Sequence, residues 1–401
     1  MDLLAEIAAI PFIDHHVHQP WRGRHTLTTA EFRRPFTEAS LPGTWERHVG
    51  SLIGYRWMVR ELARVLGVAP EEERVVAARN ALPEAEYHRL LADHARLGAC
   101  YADDLFDLGN CFAVDEWAAL LGRPVARLLR VEVFVQEGFA ACSDLDAALA
   151  RLIAEIAAAP ARGIVGLKSI AAYRTGLAIA APTEESRQAA AAAYARLHAE
   201  RLAGGAGRIA DKALVDLIVW TALEAAIPLR LPMQFHVAFG DDDIVLTQND
   251  PTLMRALFAH EPFRVLPFVL LHCYPYHRQA GYLASIYPNV YVDLGLTIPI
   301  VGPGATRILA ETLELTPTSQ LLASTDGHMT PEFQWFGVFV WRWALVRLLN
   351  EWADSNIIGA HDALAIACAV MRDNALGIYP GGGESAVGSR QSAVGGWRRG
   401  A

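Results

Sequence analysis

The run LRLPMQFH at residues 229–236 is followed by VLPFVLLH at residues 265–272, and each apolar stretch ends on a histidine. Between them, Pro251–Ala259 has the composition of a helix. A strand, a helix and a second strand that is apolar on both faces is the pattern of a parallel βαβ unit buried on both sides. The same alternation continues outward. Strand-forming runs at Pro11–His16, Ala99–Asp103, Leu128–Phe134 and Gly163–Lys168 precede the quoted pair (Leu229–His236 and Val265–His272), and Val290–Leu294 and Gln320–Ser324 follow it. Helical patterns fall between them at Leu145–Ala159, Glu185–Leu202, Lys212–Ala226, Arg278–Tyr287 and Thr306–Leu315. Eight strands alternating with helices predict an α/β fold, a (β/α)8 TIM barrel.

Two stretches exceed a minimal barrel. Residues 20–98, rich in Arg, Glu, Trp and Leu, are expected to form a helical insertion over the barrel mouth, where such folds elaborate their loops. Ala171 to Ile227 also exceeds one ordinary crossover. Residues 1–380 are therefore expected to form one barrel domain. Residues 381–401, heavy in Gly and Ser, are expected to be a disordered tail.

The bulk composition bounds the function. The 401 residues are 53% hydrophobic with a net charge of −9, so there is material for a large core and no basic patch points to nucleic acid. Mean hydropathy is +0.20, yet no uncharged apolar run is long enough to span a bilayer. The N-terminus MDLLAEIAAIPF has no basic segment before its apolar stretch, which argues against a secretory leader. The five cysteines, Cys100, Cys111, Cys142, Cys273 and Cys368, are scattered without a C-x-x-C spacing. Reduced thiols in a cytoplasmic protein are the expectation. A small-molecule substrate is expected, with no nucleic-acid or membrane partner, and self-association into a homo-oligomer is left open.

The chemistry-bearing residues sit at strand ends. IDHHVH places His16 and His18 two apart, so in a strand both imidazoles share a face. Alone, an H-x-H pair is a weak signal. Lys168 in GIVGLKS, His236 in LPMQFH, His272 in FVLLH and Asp326 in LLASTD also close strand-like runs. Strand C-termini converge at the mouth of a barrel, where active sites of this fold lie. Neutral imidazoles and a carboxylate are ligands for zinc and other divalent metals. A buried Asp needs a partner, which a cation would supply, and a buried Lys needs a depressed pKa or chemical modification.

In this order and on these strands, the set His16, His18, Lys168, His236, His272 and Asp326 resembles the amidohydrolase superfamily. KSIAAYRTGL (168–177), MQFHVAFGDDD (233–243), LLHCYPYHRQAGYLASIYPNVYVDLGL (270–296) and LLASTDGHMTPE (321–332) are similar to the amidohydrolase domain that precedes a glutamine-synthetase-like domain in FluG-type proteins. The likeness spans residues 5–380. No synthetase domain follows in this sequence, so any coupling to one is not carried over.

The resemblance implies a divalent metal, zinc first, as one ion or as two bridged by a carboxylated Lys168. It implies a polarised carbonyl and an activated water, with Asp326 as both ligand and general base. His272 would bind a second ion or hydrogen-bond the carbonyl oxygen. Tyr173 and Arg174, just past the fourth strand, and Gln234 are candidate substrate contacts, Arg174 for a carboxylate. Glu132, on the expected third strand, is a further candidate ligand or substrate contact. His277 and His328 are expected to support the ligands from behind. The remaining histidines, His15 among them, read as structural or exposed. The expected reaction is hydrolysis of an amide or other C–N bond in a small molecule such as a γ-glutamyl or other N-substituted amino acid. A metal-dependent decarboxylase is the alternative, and a non-catalytic binding module is a third reading. Lys168 beside all four histidines weighs against the second, and the intact ligand set against the third.

Overall fold

The structure is a computed structural model that describes residues 3–105 and 109–381. The tail expected to be disordered lies outside the described residues, apart from Gly381. Eight strands form one sheet: β1 (Phe12–Val17), β2 (Leu97–Asp103), β3 (Val125–Arg130), β4 (Ile164–Ser169), β5 (Met233–Val237), β6 (Phe268–His272), β7 (Val290–Asp293) and β8 (Leu321–Leu322). All neighbours are parallel and follow one another in chain order. Beyond the short β8, Asp326 N–H donates to the His16 carbonyl and His18 N–H to the Gly327 carbonyl, which links the last strand to the first. The barrel is thus closed by backbone groups of the residues that carry the chemistry.

Two apolar layers hold the barrel. Helices pack around the outside, Lys212–Ala226 burying nearly its whole length. Ile13, Ala99, Tyr101, Leu128, Val269, Leu271 and Leu322 form a separate inner cluster, joined by Ala375 and Tyr379 from the C-terminal segment. That segment, with the helix Asn374–Ile378, fills the end of the barrel remote from the strand C-termini. At ~1.5–3 kcal/mol for each large side chain fully withdrawn from water, this small layer contributes substantially to stability.

Two expectations change here. The third strand, expected over Leu128–Phe134, ends at Arg130, and Val131–Glu137 is helical. The alternating V-E-V-F pattern suits a strand locally, yet the chain leaves the sheet after Arg130 and tertiary context overrides the local preference. Secondly, the 24-residue helix Pro331–Asp354 is not among the expected elements. It is apolar around much of its circumference, so no 3.6-residue stripe announces it. Trp57, from the segment between β1 and β2, packs on its Phe336, Phe339 and Trp343. A buried Arg79–Glu332 ion pair joins the same two regions.

Candidate metal centre

The local backbone explains how the ligands reach one point. A register shift between Asp14 and Val17 breaks the alternation of β1. Ile13 faces the inner cluster, so alternation carries His15 inward onto Tyr379, and the irregularity lets His16 and His18 turn to the mouth. Leu271 faces the inner cluster, so simple alternation would point the next residue away. His272 instead has φ of 68°, and this left-handed backbone brings its ring to the mouth. Asp326 also has a positive φ, 54°. Such conformations are unfavourable for residues other than glycine and collect at functional sites.

His16 Nε2 lies 2.9 Å and His18 Nε2 3.3 Å from Asp326 Oδ1, with His272 Nε2 3.7 Å from Oδ2. Donor atoms of His16, His18 and Asp326 all fall within 4.8 Å of one another, close enough to share one ion. Burial, then the Lys168 charge, lowers the His16 imidazole to about 4. Burial likewise holds His236 and His272 well below the usual histidine range. Burial alone would raise the Asp326 carboxyl, but the imidazoles of His272, His16 and His18 around it hold it well below the usual carboxylate range. Neutral imidazoles beside an ionised carboxylate are the protonation states that a divalent metal requires.

Hydrogen bonds fix the rings. His18 Nδ1 donates to the Asp103 carbonyl at 3.2 Å, which leaves its Nε2 lone pair for the centre. Leu296 N–H donates to His272 Nδ1 at 3.1 Å, so a neutral His272 carries its proton on Nε2. That Nε2 is buried without a partner and faces the centre as a donor. His236 stands alongside, its ring centroid 4.6 Å from that of His272. Its Nε2 meets the Phe239 carbonyl at 2.8 Å and its Nδ1 the Tyr173 hydroxyl at 3.2 Å. The close approach explains Gly240, where a Cβ would come within 2.5 Å of the Tyr173 hydroxyl and 2.9 Å of His236 Nε2. The structure thus brings His16, His18 and Asp326 together, while His236 is turned to other partners.

Lys168 is buried, with Nζ 3.2 Å from His16 Nε2. Burial lowers its ammonium to about 8, against the pull of Asp103 and Asp326. A cavity of about 270 Å³ opens over these groups, lined by His18, Lys168, His236, Asp326 and His328. Tyr173, Arg174 and Arg208 line it as well, together with Arg34 and Glu38 from the segment between β1 and β2. Arg174 Nε and Nη1 are buried without a hydrogen-bond partner. Burial, then Arg208, pulls this guanidinium down to about 10.

Three expected roles do not match their placements. Glu132 neither lies on a strand nor lines the cavity. It sits in the first turn of Val131–Glu137 and accepts from Ser169 Oγ at 2.6 Å and Ile170 N–H at 3.1 Å. Gln234 lies a layer below the cavity and donates to the His15 carbonyl and the Tyr379 hydroxyl. His277 pairs with Glu311 on the outer helix Ala305–Leu313. His328 does stand behind the ligands, donating from Nδ1 to the Asp326 carbonyl at 2.7 Å.

Sequence reasoning missed five contributors. Asp14 accepts from Thr325 N–H and its hydroxyl, fixing the turn that carries Asp326. Asp293 accepts from the N–H groups of His272, Gly295 and Ser324. Arg130 grips Asp103 through Nε at 2.9 Å. Glu38 faces the cavity, where burial and then Asp326 and Asp241 push its carboxyl up to about 8. Asp103 and Asp293 close strands β2 and β7, so the strand-end criterion that found His236 would have found them.

Comparisons with known proteins identify the family. The family model described as amidohydrolase matches residues 13–381. A stretch of 235 residues, 57% of this chain, is 35% identical to the fluG protein of Emericella nidulans, and the match spans only 27% of that protein. Among solved structures, a Lactobacillus casei protein assigned as a metal-dependent hydrolase is 28% identical, with a TM-score of 0.84 over 94% of this chain and 97% of that one. A Thermotoga maritima uronate isomerase, 13% identical with a TM-score of 0.65 over 94% and 96% of the two chains, shares the fold. The described residues include no helix long and apolar enough to cross a membrane. With the family model matched over nearly its whole length, the chain belongs to the amidohydrolase family.

Proposed function

We propose that this protein hydrolyses an amide or other C–N bond of a small molecule carrying a free carboxylate, a γ-glutamyl or other N-substituted amino acid being the favoured class. The observation that carries this reading is Arg174. Two of its buried nitrogens lack partners in the cavity that also exposes His18, Lys168 and Asp326. An unpaired guanidinium there is costly unless an anion completes it, and its planar fork suits a carboxylate.

His16 and His18 through Nε2, with Asp326, would hold one divalent ion, zinc being the first expectation from this donor set. When bound, that ion supplies Lewis acidity toward a carbonyl and lowers the pKa of a water beside it. Asp326, ionised and facing the centre, takes the proton from the attacking water and passes it to the departing nitrogen. His272 donates from Nε2 toward the carbonyl oxygen, a role supported by the Leu296 hydrogen bond to its Nδ1. The same bond favours one ion over two, because a protonated Nε2 is no ligand. Lys168 then acts as a cation toward substrate. Lys168→Ala should accordingly leave the metal-to-chain ratio unchanged. A halved ratio, partly restored by short carboxylic acids, would favour a carbamate bridging two ions instead.

The test is amine release by the metal-loaded wild-type protein from γ-glutamyl and N-acyl amino-acid amides, beside analogues whose carboxylate is amidated. Turnover of the acids over the amidated analogues is the expected result. Turnover of uncharged amides alone would overturn the substrate class, and carbon dioxide release without amine would place the protein among lyases.

A further inference from the structure

Beneath the metal centre, the barrel core contains a line of buried polar groups that the proposed reaction does not use. Tyr379 comes from the C-terminal segment and reaches up the barrel axis between Tyr101 and His15. Its hydroxyl accepts from Gln234 Nε2 at 2.7 Å and lies 3.3 Å from His15 Nδ1. His15 Nε2 in turn lies 3.3 Å from Asp293 Oδ1. Gln234, His15 and Asp293 are sealed from solvent, and Tyr379 is 2% exposed.

The donors and acceptors along this line permit one consistent assignment. A carboxylate only accepts, so His15 must donate to Asp293 from Nε2. A neutral imidazole with its proton on Nε2 has an acceptor at Nδ1, which takes the Tyr379 hydroxyl proton. The Tyr379 oxygen then accepts from the Gln234 amide. Protons thus point one way, from Gln234 through Tyr379 and His15 to Asp293. Asp293 clamps the ends of two strands. Its carboxylate accepts from His272 N–H at 3.4 Å and from Ser324 through N–H at 2.9 Å and Oγ at 3.0 Å. His272 has left-handed backbone at that clamp, and Ser324 lies two residues before Asp326.

We propose that Tyr379 is a positioning residue: its hydroxyl anchors Nδ1 of His15, which holds the Nε2–H donor on Asp293 and so sets His272 and Asp326 at the metal centre. The C-terminal segment is thereby part of the machinery of the mouth, although it enters from the opposite end of the barrel. Without the hydroxyl, His15 Nδ1 is left as an acceptor with no donor in a place that water does not reach, and the ring that donates to Asp293 loses its second anchor. Such a loss propagates because a buried network is stabilising only when every member is satisfied.

Tyr379→Phe tests this, since it deletes the hydroxyl and keeps the ring that packs on His15 and Tyr101. Tyr101→Phe is the control, because the Tyr101 hydroxyl is buried in the same layer without a partner. Long-range proton–nitrogen spectra of histidine-labelled protein should show His15 protonated on Nε2 in the wild type and in Tyr101→Phe. In Tyr379→Phe the Nε2–H form should persist, held by Asp293, while the Nδ1 resonance moves with the loss of its hydrogen bond and the Nε2–H signal shifts with the looser Asp293 contact. Zinc affinity, read by competition with a chromophoric chelator, should fall by about twofold to tenfold in Tyr379→Phe, the range of one neutral hydrogen bond, and stay level in the control. An unchanged Nε2–H signal overturns the proposal. So does a shifted Nε2–H signal with unchanged zinc affinity, as does a lowered melting temperature as the sole effect. A failure of the wild-type protein to bind zinc would be a failure of the metal reading, whereas the His15 measurement stands without it.

Discussion

The two ends of the barrel are built from the same eight strands and differ in what they leave unfinished. At the floor, Ile13, Leu128, Val269, Leu271 and Leu322 meet Ala375 and Tyr379 in an apolar layer. At the mouth, His272 Nε2, His16 Nδ1 and two nitrogens of Arg174 are buried without hydrogen-bond partners, whereas the floor layer carries the Tyr101 hydroxyl in that state. Backbone strain divides in the same way. Ala238, His272, Cys273, Asp326 and Met329 have positive φ beyond the ends of β5, β6 and β8 or at them, whereas Arg96 and Arg230 near the floor do so in turns that end helical segments. Unsatisfied polar atoms and strained backbone cost stability, and they persist where the surrounding fold over-determines them. The floor supplies that support.

If this division holds, altering the mouth should remove chemistry and spare the fold. The largest effect belongs to the paired variant His16→Ala/His18→Ala, which deletes two of the three clustered donors. Bound metal per chain should fall to near zero while the circular dichroism spectrum stays that of the wild type. Metal retained at the wild-type ratio would mean that the ion, if bound, lies elsewhere.

Asp326→Asn should come next. An amide oxygen can still coordinate, so metal should largely remain, but it cannot accept a proton. Turnover should drop by roughly 10²–10⁴-fold, the range for losing a general base. Near-normal turnover would remove Asp326 from proton transfer and leave it a ligand alone.

The floor should respond in the opposite sense. Leu128 is buried in the inner layer, and Leu128→Ala should cost about 2–5 kcal/mol of unfolding free energy through lost burial and a cavity. Metal per folded chain should be unchanged. A large loss of metal with little loss of stability would show that the two ends are not separable in this way.

The same division governs what the sequence discloses. Strand ends are legible because packing alone rarely places a charged or imidazole group at the close of an apolar run. That criterion finds His16, His18, Lys168, His236, His272 and Asp326. Their geometry is less legible. Alternation from His16 to His18 predicts a shared face, but the register shift that puts His15 and His16 both inside the barrel leaves no local mark. Left-handed backbone at His272 is equally silent, since most histidines keep a negative φ and no glycine marks the turn. Glu132 is misplaced because V-E-V-F reads as a strand until the chain is seen to leave the sheet at Arg130. The Asp293–His15–Tyr379 line joins residues far apart in sequence, and only the closed barrel brings them together.

The smallest expected effect concerns substrate recognition within the mouth itself, where the metal end and the arginine end of one cavity should be separable. Arg174 reaches the cavity from just beyond β4, whose Lys168 lies against His16. A fixed charge at the far end of a substrate holds the reacting carbonyl in place, so the guanidinium contributes to catalysis without touching the scissile bond. Arg174→Met keeps much of the side chain's apolar length and removes the charge. For an amide with a free carboxylate, kcat/KM should fall by the value of one charge-assisted hydrogen bond, about 1.5–3 kcal/mol. For the same amide with its carboxylate capped, the wild type should already be slow and the variant should lose little more. Metal content should be identical in both proteins, because Arg174 is not among the clustered donors. Steady-state kinetics on the two substrates with the two proteins form a complete cycle, and its coupling term is the quantity of interest. A coupling near zero would remove Arg174 from carboxylate recognition while leaving the metal chemistry intact. A coupling of the expected size would assign the two ends of one cavity to two tasks, bond cleavage at Asp326 and substrate selection at Arg174.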